Sequence, residues 1–222
     1  MDFLKLIQSL DELLYEIMSW LIFYPVTLWR ALTRPLRMMN YADSELGDAV
    51  ETQYSDTLSP PLFLLLTIVL SHAIELATVG QSEIVRDRTG LGGLVNDDST
   101  YILLRVAFFS LFPLVMAARL VRAKGRKLDR GPLRAPFYSQ CYVAAPFAMM
   151  VSGAGMLMQV KPLAAGAAGL ALLAFALIWY GTLQILWFAE HLHISRWRAA
   201  VQASRAMIEA LAAFVLISLV FV

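Results

Sequence analysis

His72, Glu75 and Arg105 carry ionisable side chains inside long apolar runs, where such groups are costly. Thr67, Ser71, His72, Glu75 and Thr78 recur mainly at spacings of three and four residues, which places them on one face of a helix. At ~1.5 Å per residue, His72 lies roughly 16 Å into its run, close to the middle of a hydrocarbon layer of about 30 Å. Glu75 lies about one turn further on. Arg105 sits near the start of the next run, at the depth of Glu75 if the two helices are antiparallel neighbours. That match predicts a Glu75–Arg105 ion pair. A His–Glu–Arg set at this depth can relay a proton or hold an anion in a transporter. The same residues can also serve only to fix helix registry, with Arg105 reaching outward.

A second polar set falls at the inner ends of later runs: Tyr138, Ser139, Gln140 and Tyr142, then Gln184, Glu190, His191 and His193, then Glu209. By depth these can converge on a vestibule, or simply bond helix to helix. His72, Glu75, Arg105, Gln140 and Gln184 are therefore the candidate lining of a substrate or ion path.

Enzymatic chemistry finds no footing. The patterns G-x-x-x-x-G-K-[ST], G-x-S-x-G and H-E-x-x-H are absent. Gly90–Gly93 lacks the strand-then-helix setting of a phosphate-binding turn. His191 and His193 would point about 200° apart on a helix, so Glu190–His193 predicts no metal site. Cys141 is the single cysteine, which excludes an intrachain disulfide and a cysteine-based cluster. We expect no enzyme, no cofactor and no metal.

These residues need an apolar scaffold to hold them. Hydrophobic residues make up 59% and charged residues 16% of the 222, with mean hydropathy +0.64. A soluble domain runs near 45–50% and about 25%. The excess lies in continuous runs, which excludes disorder and a nucleic-acid-binding protein and predicts an all-α polytopic membrane bundle. Five spans are expected, at 61–79, 101–120, 136–158, 163–189 and 206–222, forming one membrane unit over 61–222. Ser152–Gly155 and Gly166–Gly169 flank a short turn, so the third and fourth spans should pack as a hairpin. A dimer face is the other use of those small residues. Pro113 and Pro146 should kink their spans.

The basic residues set orientation. Lys and Arg number 4 before the first span, then 2, 7, 1 and 3 in the successive loops. That alternation predicts a cytoplasmic N-terminus and a C-terminus on the far side of an inner membrane. The densest loop holds Arg122, Lys124, Arg126 and Lys127, suited to anionic lipid headgroups or to topology alone. Membrane lipids are the expected partners. A small-molecule substrate is left unidentified, and transport by so small a bundle would call for a homo-oligomer.

Residues 1–39 read as an amphipathic helix lying in the cytoplasmic interface, broken at Pro25 and anchored by Arg30, Arg34 and Arg37. No cleavable signal peptide is expected ahead of it. Residues 40–60 carry Asp43, Glu45, Asp48, Glu51 and Asp56 and read as a solvated acidic linker.

The segment Ser59-Pro60-Pro61-Leu62-Phe63 and the run Pro136–Phe147 resemble parts of the Yip1-type membrane proteins. The resemblance extends over residues 30–222 and also covers small proteobacterial inner-membrane proteins labelled permeases. It implies five spans behind a cytoplasmic N-terminal region and carries no catalytic residue. Eukaryotic relatives act in vesicle trafficking. A small permease or carrier is the expected function, and the alternative is a non-transporting scaffold or assembly factor that uses its basic loop and acidic linker on cytoplasmic partners.

Overall fold

Pro60 and Pro61 open the helix α3 (Pro60–Thr78), where the missing N–H would have had no intrahelical partner. The computed structural model describes residues 3–49, 52–80 and 98–220. Around α3, the described residues form α1 (Phe3–Thr33), α2 (Pro35–Glu45), α4 (Asp98–Ala123), α5 (Arg130–Gln159), α6 (Leu163–Leu192) and α7 (Arg196–Val220). The loop with Arg86 and Arg88 and the run Gly90–Gly93 lie outside the described residues.

Four helices are long and apolar enough to cross a membrane: α3, α4 from Ile102 onward, α5 and α6. The expected fifth span falls in α7, whose first half carries Arg196, Arg198, Arg205 and Glu209. Those charges confine its apolar part to the second half.

Local signals explain the helix ends. Gly125, at φ 67°, closes α4: its N–H bonds Arg122 O, and the Arg126 N–H reaches back to Val121 O. Asp129 then accepts from the Arg130 N–H at 2.7 Å and starts α5 six residues ahead of the expected span. His193, at φ 53°, ends α6.

The chain packs around α5. From Ser139 to Ala148 every residue is buried, and α1, α2, α3, α4 and α6 all lie against this helix. α7 lies on α4 and α6 through the small residues Ala199, Ala203, Ala206 and Ala210, all buried.

Two features of the N-terminal region differ from the sequence expectation. α1 does not break at Pro25 but continues to Thr33, and the break comes at Arg34, ahead of Pro35. Tertiary bonds on both sides of Pro25 hold the helix: the Tyr24 hydroxyl donates to Thr67 Oγ1 at 3.2 Å, and Thr27 Oγ1 accepts from the Leu58 N–H at 3.0 Å. Arg34 has no such support, and the residue before a proline is pushed out of the helical region.

Residues 40–60 are not a free linker either. Ala42, Tyr54, Thr57 and Leu58 are buried. Ser139 Oγ of α5 lies 2.8 Å from Met39 O and 2.7 Å from Asp43 Oδ1, donating to this pair of acceptors. The Tyr142 hydroxyl donates to Leu58 O at 2.9 Å. The segment straps the N-terminal half of α5, tied to it by Asp43 and Leu58 O and packed with its apolar residues.

α5 and α6 form the expected hairpin. A Cβ on Gly169 would lie 2.8 Å from Ala154 O and 2.9 Å from Met158 Cγ, so the two backbones meet at this glycine. Gly166 has open space around it. Gly169→Leu should therefore destabilise the protein by about 1–3 kcal/mol, while Gly166→Ala leaves it unchanged or slightly firmer. Thermal unfolding in detergent measures both.

Candidate functional site

α3 presents its polar face to α4 and α5. Thr67 and Ser71 turn their hydroxyls back to Phe63 O and Thr67 O, each at 2.7 Å, so these side chains satisfy themselves within the helix. His72 and Glu75 follow on that face, 2% and 5% exposed. Arg105 of α4 is buried too and donates from Nη1 to Glu75 Oε2. This is the ion pair that matched depth predicts. Its second nitrogen, Nη2, donates to Ser152 Oγ of α5. The guanidinium thus joins three helices. A lone charge at this depth would be prohibitive, and pairing with a carboxylate and a hydroxyl is what permits it.

Gln140 and Gln184 meet in a second buried pair. Each amide nitrogen donates to the other's oxygen, at 2.8 and 2.7 Å, and both side chains are fully buried. Each amide thereby gives one donor and takes one acceptor bond from the other across α5 and α6. Gln140 and Ser152 are twelve residues apart on α5, or roughly 18 Å. An aromatic layer fills the interval: Phe147 stacks on Tyr180 at 4.5 Å and meets Phe112 edge-on at 6.0 Å. The structure therefore gathers His72, Glu75 and Arg105 into one cluster and Gln140 with Gln184 into another, and keeps the two apart.

The other polar residues of the inner ends go to separate partners. Glu190 accepts from Asn40, Glu209 pairs with Arg119 at 2.7 Å, and His193 sits in the cap of α6. His191 Nε2 lies 3.8 Å from Asp43 Oδ2. Among the described residues, no three His, Cys, Asp or Glu side chains gather as a metal site.

Arg122, Lys124, Arg126 and Lys127 are exposed in the turn between α4 and α5 and, among the described residues, have no carboxylate partner. Lys124 and Arg126 flank a cleft of about 330 Å³ backed by Asp43, Pro132 and His191. Arg30, Tyr41 and Asp56 form a cluster that sequence reasoning missed. Asp56 accepts from Arg30 and from the Tyr41 hydroxyl, both at 2.6 Å. The Tyr41 hydroxyl bond, then the Arg30 charge, hold the Asp56 carboxyl below its ordinary range, and burial with Asp56 beside it pushes Tyr41 up. Their sequence separation, from 30 to 56, offered no periodic signal.

Family models, curated proteins and solved structures contain no match to this chain.

Three outcomes follow from this geometry. Arg105→Met strands the Glu75 carboxylate and should lower stability by about 3–5 kcal/mol, while Glu75→Leu with Arg105→Met recovers most of the loss. Gln140→Leu alone leaves the Gln184 amide unsatisfied, at about 1–3 kcal/mol, and the double Gln140→Leu, Gln184→Leu variant is close to neutral. Chemical unfolding in mixed micelles ranks these variants. A depressed Asp56 pKa stabilises the fold above the ordinary carboxylate range, and that share is lost as pH falls through the folded value. Asp56→Asn should therefore flatten the loss of thermal stability as pH falls below about 5.

Proposed function

We propose that this chain is a multi-pass inner-membrane protein that acts as a scaffold or assembly factor rather than as a carrier. The observation that carries the reading is the closed interior. The buried polar groups Glu75, Arg105, Ser152, Gln140 and Gln184 bond to one another, and the layer of Phe112, Phe147 and Tyr180 separates the two sets. Polar pairs of this kind set helix registry in lipid. In this reading α7 is the fifth crossing, the N-terminus is cytoplasmic and the C-terminus lies on the far side. The strap of residues 40–60 and the unpaired turn Arg122–Lys127 then share one face, where an acidic partner or anionic lipid surface can dock. The Yip1-type resemblance agrees with this assignment.

One observation favours a permease as the second reading. His72, Glu75 and Arg105 are three ionisable side chains on facing helices, His72 at the expected midplane and the pair one turn further out, the composition of a proton-coupled site. In that case the aromatic layer is a gate.

Cysteine accessibility decides between them. In a Cys141→Ala background, single cysteines at His72 and Gln140 are challenged with a membrane-impermeant maleimide from each side of oriented vesicles. A scaffold leaves both unlabelled while a control cysteine at exposed Lys124 reacts. Labelling of either buried position from either side establishes a carrier.

A further inference from the structure

Around Trp20, α1, α3 and the strap leave two adjoining recesses. The first is a polar cleft of about 520 Å³ between α1 and the strap, lined by Tyr15, Glu16, Trp20, Phe23, Gln53 and Tyr54 among others. The second is an open apolar groove of about 360 Å³, with Leu21 and Pro25 on one wall and Leu66, Leu70 and Ala73 on the other. Trp20 borders both recesses. Each falls within the ~300–1,000 Å³ of ligand sites.

The two recesses differ in what they can hold. No Lys, Arg or His lines the polar cleft. Glu16 is exposed and, among the described residues, has no cationic partner. Four aromatic rings, Tyr15, Trp20, Phe23 and Tyr54, border the same space. A carboxylate among aromatic faces attracts an organic ammonium group and repels an anion. The groove is lined by carbon almost throughout and opens sideways. Along α3 the pair of recesses extends from Leu62 to Ala73, eleven residues or roughly 16 Å, the depth of one bilayer leaflet. An occupant must therefore be cationic at one end, apolar at the other and one leaflet long.

We propose that this surface binds a phospholipid with an ammonium headgroup, its amine at Glu16 within the aromatic cleft and an acyl chain along the α1–α3 groove. A second copy of this chain would have to present a free cation beside an apolar stripe in the same order. Lys161, beside exposed Val160 and Leu163, is a cation of that kind, so a second copy is the occupant that the experiment separates from lipid. The site lies apart from the buried pairs, so it stands whether the interior proves to be a scaffold or a carrier.

Native mass spectrometry of the full chain tests the assignment. Purified protein is relipidated with equal amounts of dioleoyl phosphatidylethanolamine and dioleoyl phosphatidylglycerol. The expected result is retention of phosphatidylethanolamine over phosphatidylglycerol by about fivefold or more, in keeping with about 1 kcal/mol for a cation held by aromatic faces. Glu16→Gln should bring the two lipids near parity, and Ala73→Trp, which fills the groove from an exposed position, should lower retention of both. Unchanged thermal unfolding of the variants establishes that they fold. Equal retention of the two lipids by the parent chain, or preference for phosphatidylglycerol, overturns the headgroup assignment. Undiminished phosphatidylethanolamine retention in either variant overturns the location, with the lipid bound elsewhere or a second copy covering the groove.

Discussion

A helix buried on every side can carry polar groups only if its neighbours satisfy them, and α5 is such a helix. From Ser139 to Ala148 it has no lipid-facing residue. Each polar side chain on it therefore commits another element to a position. Ser139 fixes α2 through Met39 and Asp43, Tyr142 fixes the strap through Leu58, Gln140 fixes α6 through Gln184, and Ser152 fixes α4 through Arg105. In hydrocarbon the hydrophobic effect does not drive helices together, so close packing and these bonds define the arrangement.

The packing half of that division is most visible in the hairpin of α5 and α6. Gly169 brings the backbones to a distance at which no side chain fits. Small alanines play the same part for α7. Bonds give the bundle its register and small residues give it its closeness. Together they hold Glu75, Arg105 and Ser152 in one partnered set and Gln140 with Gln184 in another.

The N-terminal region shows how tertiary bonds override local signals. Pro25 and Pro35 carry the same local instruction to end a helix. Only Pro35 is obeyed, because Tyr24 and Thr27 are held against the start of α3 and α1 cannot leave. The acids of residues 40–60 follow the same logic. Their charge suggests the basic turn of residues 119–134 as a partner, yet Asp56 takes Arg30 and Tyr41, and Asp43 takes Ser139, hydrogen-bonded partners that the packing brings within reach.

Apolar length and composition alone determined the helical membrane class and four of the five expected spans, the four being the helices long and apolar enough to cross a membrane among the described residues. A helix in lipid has a fixed rise, so position in the sequence is position along the membrane normal. For that reason the Glu75–Arg105 pair was legible before the fold. Rotation about each helix axis was not, because helices hydrophobic on most faces carry little periodic signal. Ser152 as the third partner of Arg105, the mutual amides of Gln140 and Gln184 and the aromatic layer between them all depend on which face each helix turns inward. Only packing around α5 decided that, and with it whether the polar residues line a path or close one.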